Sequence, residues 1–278
     1  MLSLLHKSIL FAAVTSLFSC SVSALELKGT MTQGAMIIGQ VNNAEYVRFN
    51  GKHLELTKDG HFVFGFSRDE AANGTLEWRI NGKNHSKTLI IEPRQYKIDR
   101  VNGVEQKYVS PPKSVLERIK NDSKLVAAAR AKKSEHTYFL QPFLRPAEGR
   151  ISGVYGSQRI FNGEPKNPHF GLDIANKTGT PVFAPNDGVV VLAEPDLYYS
   201  GGTVILDHGF GITSTYIHLS KLHVKVGEKL KRGTHFADIG ATGRVTGPHL
   251  DWRLNWFNER LDPALIMQDS LAGKETKK

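Results

Sequence analysis

The sequence reads as a mainly β protein: a small N-terminal β-sandwich, one connecting helix and a larger β-rich C-terminal domain. Three observations predict this. Short alternating runs separated by Asn-Gly and Asp-Gly turns fill residues 25–98. Helical spacing is confined to residues 113–133. From Tyr138 to Met267 the chain returns to β-type alternation with many glycines. With 278 residues, 40% of them hydrophobic and 23% charged, the chain can build two ordinary cores and lacks the composition of a disordered protein.

Residues 1–24 place Lys7 ahead of an apolar run from Ile9 to Phe18 and end in Val22-Ser23-Ala24, the three-part pattern of a cleaved secretory signal. The same stretch admits a second reading. Leu17-Phe18-Ser19-Cys20 resembles a lipobox, in which Cys20 is lipidated and anchors the chain; Phe18 fits that pattern poorly, and ordinary cleavage is favoured. Cys20 is the single cysteine, which excludes a disulfide framework or a thiolate cluster. The formal charge of +9 would suit nucleic acid, an anionic membrane or another acidic polymer. Export removes nucleic acid from that set and points to the periplasm or cell envelope. No later run reaches the 18 or so apolar residues of a membrane span.

In residues 25–98, runs such as Met36–Ile38, Tyr46–Phe49, Phe62–Phe64, Leu76–Trp78 and Thr88–Ile91 alternate with turns at Asn50-Gly51, Asp59-Gly60 and Asn81-Gly82, which predicts an accessory β-sandwich. His53, His61 and His85 share no ligand spacing and read as surface residues. Residues 99–137 form a basic linker and helix. Val115, Leu116, Ile119 and Val126 recur at helical spacing, and seven basic residues face two acidic ones between Lys113 and Lys133. That charge is either a solvated face or a contact with an anionic envelope polymer or lipid. The second domain spans 138–267, and a polar tail follows at 268–278.

Strand parity in the second domain places polar groups opposite core-forming faces. In His169–Ile174, residues Phe170, Leu172 and Ile174 form an apolar face; His169, Gly171 and Asp173 form the other, with the glycine leaving room between two polar side chains. In Thr215–Leu219, Tyr216 and His218 share one face. In His249–Trp256, His249, Asp251, Arg253 and Asn255 oppose Leu250, Trp252, Leu254 and Trp256. Converging imidazoles and carboxylates are donors that suit zinc, though every half-buried strand has a polar face.

The stretch from about 150 to 266 resembles the LytM/lysostaphin-type family of zinc peptidoglycan endopeptidases. The resemblance rests on His169-Phe-Gly-Leu-Asp173, Gly179–Gly188, Asp207-His-Gly-Phe-Gly211, Tyr216-Ile-His-Leu219, Gly240-Ala-Thr-Gly243 and Thr246-Gly-Pro-His249, with Gly153–Arg159 as entry segment. It implies a LytM-type β-sheet or barrel-sandwich peptidase domain. It implies His169 and Asp173 as zinc ligands, and His218 and His249 as catalytic histidines that are not ligands. The family's third ligand is the second histidine of a His-x-His pair; here that position is Asp251. Aspartate is a legitimate zinc ligand, but one imidazole and two carboxylates would neutralise the cation and weaken its pull. Tyr155, Arg159, Tyr216 and Arg253 are the candidate groove residues; Tyr155 and Tyr216 either line the groove or simply pack, and Arg253 reads as either a carboxylate-binding group or an ordinary salt bridge.

The expected function is therefore an exported zinc endopeptidase acting on peptidoglycan cross-links or stem peptides. The alternative is a weakened or inactive LytM-type factor that binds the wall or activates another hydrolase. His208 reads as structural, His223 as solvent-facing, and His235 as lacking a partner at ligand spacing.

Overall fold

The computed structural model describes residues 25–101, 112–161 and 163–272. The predicted leader with Cys20, most of the linker and the end of the tail lie outside the described residues. Among those described, no helix is long and apolar enough to cross a membrane.

The first unit is built from strands β1 (Glu26–Lys28), β2 (Met36–Gln40), β3 (Ala44–Phe49), β4 (Lys52–Leu54), β5 (His61–Gly65), β6 (Asn73–Ile80) and β7 (Lys83–Ile90). They form two sheets, ordered β1-β2-β5 and β4-β3-β6-β7. Asn50-Gly51 and Asn81-Gly82 turn the β3–β4 and β6–β7 hairpins with positive φ at both residues, the geometry that matches the twist of the flanking strands. Ile37, Phe62, Phe64, Val47, Phe49 and Leu76 fill the space between the sheets, with Phe49 and Phe64 at 4.7 Å.

The segment read as linker opens with a strand, β8 (Ile98–Val101). A 3-10 turn then leads into helix α1 (Leu116–Arg130). The second unit contains β9 (Phe143–Arg145), β10 (Arg150–Gly153), β11 (Gln158–Phe161), β12 (Glu164–Pro165), β13 (Leu172–Ala175), β14 (Pro181–Phe183), β15 (Gly188–Leu197), β16 (Gly201–Gly209), β17 (Ile212–Leu222), β18 (Lys229–Leu230), β19 (His235–Ile239), β20 (His249–Trp256), β21 (Glu259–Leu261) and β22 (Met267–Leu271). β8 pairs in parallel with β11, so the linker begins as part of the second unit's periphery. The main sheet runs β10-β13-β20-β17-β16-β15-β18, with β14 and β19 joined through β17 and β21 on β20.

One face of this sheet is the core, where Leu172, Ile174, Val204, Leu206, Tyr216, Leu250, Trp252 and Leu254 are buried. That core continues into the sandwich: Leu261 packs so tightly on Gly65 that a Cβ there would lie 2.4 Å from it. Arg94 and the buried Asp262 tie the two units with a 2.8 Å ion pair. The opposite face carries the polar residues. α1 lies across part of it, with Val126 and Ala129 grouped with Val191, Leu197 and Ile205.

Tyr216 does not share a face with His218, contrary to simple alternation. Two residues of β17 oppose one of β16 between the Val204–Tyr216 and Gly202–Leu219 pairs, and His218 takes φ +68°. This bulge resets the alternation. Tyr216 goes into the core, Thr215 and Ile217 face out, and His218 swings back to the outer face.

His208 is structural, as its turn position suggested. It is fully buried, with Nδ1 donating to the Asp187 carbonyl at 2.7 Å and Nε2 at 2.7 Å from Ser214 Oγ, which lies 2.8 Å from the Tyr216 hydroxyl. Burial pushes its pKa down to about 4. The unfolded imidazole, near 6.5, takes a proton that the folded one refuses, so stability is complete above that value and falls as pH drops from about 6.5 to about 4. Urea unfolding at pH 7.5 and 4.5 should show wild type losing about 2–3 kcal/mol more than His208→Gln over this interval.

Candidate active site

His169 sits just before β13, and Asp173 within it. Asp251 lies on β20, directly opposite Asp173 in the antiparallel register. His169 Nε2 is 3.1 Å from Asp173 Oδ1 and 3.4 Å from Asp251 Oδ2; His249 Nε2 is 3.8 Å from Asp173 Oδ1. The His218 and His249 rings are 4.9 Å apart. The five polar residues singled out in the sequence thus converge.

All three imidazoles are held the same way. Nδ1 of His169 faces the Val154 carbonyl at 3.2 Å, that of His218 the Thr242 carbonyl at 2.9 Å, and that of His249 the Gly247 carbonyl at 2.8 Å. A carbonyl only accepts, so each Nδ1 carries a proton and Nε2 is the nitrogen left free of the backbone.

Two observations fit this set to a metal ion. First, His169 Nε2 and Asp173 Oδ1 are buried and, despite their closeness, make no aligned hydrogen bond. Zinc bonds of about 2.0–2.1 Å in a tetrahedron set ligand atoms roughly 3.3 Å apart, close to the 3.1 and 3.4 Å seen here. Second, glycines clear the space for both carboxylates. A Cβ on Gly153 would lie 2.1 Å from Asp173 Oδ2, and one on Gly171 would lie 2.1 Å from Asp251 Oδ1. Gly171→Ala should therefore displace Asp251 and cut zinc affinity by about tenfold or more with the fold intact, as read by metal titration beside circular dichroism.

Asp251 is 3% exposed and held by Arg253, whose Nε lies 3.0 and 3.1 Å from the two carboxylate oxygens and whose Nη2 lies 2.6 Å from Oδ2. Burial by itself would raise the Asp251 pKa; the Arg253 guanidinium and His169 overcome it and hold the carboxyl well below the usual range. Arg253 also corrects the charge expected from the sequence. The Asp251–Arg253 pair is neutral as a unit, like an imidazole, so with His169 neutral, as metal ligation requires, His169, Asp173, Asp251 and Arg253 together carry one negative charge. Burial opposes a proton on His169, but Asp173 and Asp251 outweigh it and lift its pKa to about 10. Burial lowers that of His218, with His249 and Arg253 adding to the effect.

Of the two readings open for Tyr155 and Tyr216, groove or packing, both side chains take packing. Tyr216 is fully buried in the core for the reason given above. Tyr155 is 2% exposed and turns away from the cleft, its hydroxyl donating to the Arg260 carbonyl at 2.7 Å. The Arg159 side chain lies outside the described residues. Sequence reasoning also missed partners for two histidines: His223 and His235 hold the two Asp238 oxygens at 2.9 and 2.7 Å. Those nitrogens already have their hydrogen-bond partner, unlike His169 Nε2. It missed Arg130 and Arg260 as well, since nothing in their local patterns marks them; α1 and β21 bring them beside Arg253.

Comparison with known proteins agrees with this fold. Residues 167–263 match the model of peptidase family M23. Peptidoglycan DD-endopeptidase ShyA of Vibrio cholerae is 47% identical over 106 residues, covering 38% of this chain and 24% of ShyA. ShyB of the same organism is 39% identical over 95 residues, covering 34% of this chain and 22% of ShyB. This chain thus spans about a quarter of the length of those relatives. A crystal structure of a peptidase M23 from Pseudomonas aeruginosa aligns with TM-score 0.66 and 26% identity over 88% of this chain and 96% of that one. The converging residues all fall within the matched segment, and the chain carries a LytM-type peptidase domain of family M23.

Proposed function

We propose that this protein is an exported, zinc-dependent endopeptidase that hydrolyses peptide bonds in peptidoglycan cross-links or stem peptides. One observation carries the reading: three imidazoles are each tied through Nδ1 to a backbone carbonyl, His169 and His249 bring Nε2 up to the Asp173 and Asp251 carboxylates, and His218 lies against His249. His169, Asp173 and Asp251 would hold zinc, which supplies Lewis acidity for a carbonyl and for water. His218, kept neutral by burial, accepts the proton of the attacking water. His249, its ring 4.9 Å from that of His218, assists the developing charge once its Nε2 has taken a proton. Arg253 fixes the Asp251 carboxylate in one orientation.

The sequence of residues 1–24 supports export, and the relatives named for peptidoglycan support the substrate class. Contact of α1 with an anionic envelope polymer or lipid belongs to the same reading in a narrower form. Arg118 pairs with Asp196, Lys133 pairs with Glu55, and Arg130 is buried, which leaves Lys113, Lys120, Lys124 and Lys132 to make it. The test is metal analysis of the purified chain alongside digestion of isolated murein, with products identified by mass spectrometry. One zinc per chain and new peptide ends are expected. A chain that takes up no zinc and leaves murein intact would refute the reading.

A further inference from the structure

Beyond the metal residues, the outer face of the sheet runs under α1 and lines an open pocket of about 290 Å³. Three guanidinium groups meet there: Arg130 from the end of α1, Arg253 from β20 and Arg260 from β21. Arg253 is committed to Asp251. The other two have no carboxylate partner among the described residues.

Arg130 is 7% exposed, its Nε is buried without a hydrogen-bond partner, and its one bond, to Thr215 Oγ1, is long at 3.4 Å. Among the described residues, Arg260 makes a single long bond, 3.5 Å, to Asn255 Oδ1. A guanidinium has five donors, so most of those in this pocket are unspent. The one acidic residue in the lining, Asp122, accepts from the Tyr198 amide at 2.7 Å. It sits eight residues from Arg130 on the same helix, about 12 Å away along the axis. Burying Arg130 unpaired beside a second guanidinium is costly unless a counter-charge arrives.

The place of the pocket says what that counter-charge belongs to. Thr215 and Arg253 are register partners, as are Ile217 and Asp251. The pocket floor therefore adjoins the metal residues, displaced by two residues along β20, about 7 Å. That is the reach of one or two residues of extended peptide.

We propose that this pocket is the subsite for a free carboxylate of the substrate peptide, gripped by Arg130 and Arg260, one or two residues from the bond that is cut. The inference rests on the endopeptidase reading for its substrate, and it makes α1 a wall of the substrate site as well as a connector. A planar, doubly accepting carboxylate suits two guanidinium forks.

The test measures binding of acetyl-lysyl-D-alanyl-D-alanine to the full chain by calorimetry, as the free acid and as its C-terminal amide. Wild type should bind the acid about tenfold more tightly. Arg260→Gln and Arg130→Gln should each shrink that ratio toward one with the amide affinity unchanged. Equal binding of acid and amide by wild type, no binding of either, or an acid preference that survives in the folded variants would overturn the subsite. If Arg130→Gln does not fold, the wild-type pair and Arg260→Gln still decide. Murein digestion run in parallel separates the two claims. A chain that digests murein without preferring the acid keeps its activity and loses the subsite. A chain that prefers the acid but digests nothing keeps the subsite and loses the endopeptidase reading.

Discussion

Asp251→Ala is expected to release the metal, lowering zinc affinity by about a hundredfold or more and abolishing hydrolysis. Two losses add. A ligand oxygen 3.4 Å from His169 Nε2 disappears, and Arg253 is left as an unpaired cation beside the site, repelling the ion that Asp251 had helped attract. The charge argument makes a sharper demand. Asp251→His restores the family's residue type but strands Arg253, so it should bind zinc more weakly than wild type. Asp251→His with Arg253→Met removes the stranded charge and should recover most of the affinity. A double-mutant cycle read by zinc titration measures the coupling between the two positions. If Asp251→His binds zinc as well with Arg253 present as without it, the pair does not act as a substitute for the imidazole. If Asp251→Ala holds zinc like wild type, Asp251 is not a ligand.

Much of the site was legible because parity works wherever a strand is regular. Leu250, Asp251, Trp252 and Arg253 alternate as read, since β20 keeps unbroken register with both β13 and β17. The glycine between His169 and Asp173 was read as space, and the space is filled by the Asp251 carboxylate from the next strand. Parity failed at Tyr216, where a bulge with a positive-φ histidine inserts a residue; no composition signal marks a bulge built on Ile217 and His218 rather than on glycine. The helix was legible in type, but its role was not. Its basic residues read as a solvated face or as a contact with an anionic envelope, whereas Arg130 points inward beneath it. Cross-element contacts of this kind, like the three-arginine pocket and the His223–Asp238 pair, depend on sequence separations that no local window sees. The accessory sandwich was the easiest element, because Asn-Gly turns fix its hairpins locally.

His218 and His249 should separate chemistry from metal binding. Substitution of either is expected to lower kcat by about 10²–10⁴ while bound zinc stays at the wild-type level, because neither Nε2 is part of the close His169–Asp173–Asp251 group. His169→Ala should lose both. Backbone conformation dictates the choice of variant at His218. Its φ of +68° is unfavourable for alanine, by about 1–2 kcal/mol, whereas asparagine visits that region readily. His218→Asn therefore removes the proton acceptor while sparing the bulge, and a kcat loss with unchanged melting temperature and zinc content assigns the effect to the imidazole. The tautomer argument constrains the pair further. With Nδ1–H committed to a backbone carbonyl, a neutral ring can only accept at Nε2, and it donates there only after taking a proton. If His218 accepts the water's proton and His249 serves the same transition state, the two losses should combine to much less than their product in the double variant. Fully multiplicative losses would mean that the two rings act in separate steps. A drop in zinc content for His249→Ala to match His169→Ala would place His249 among the ligands, with Asp251 then left to hold Arg253.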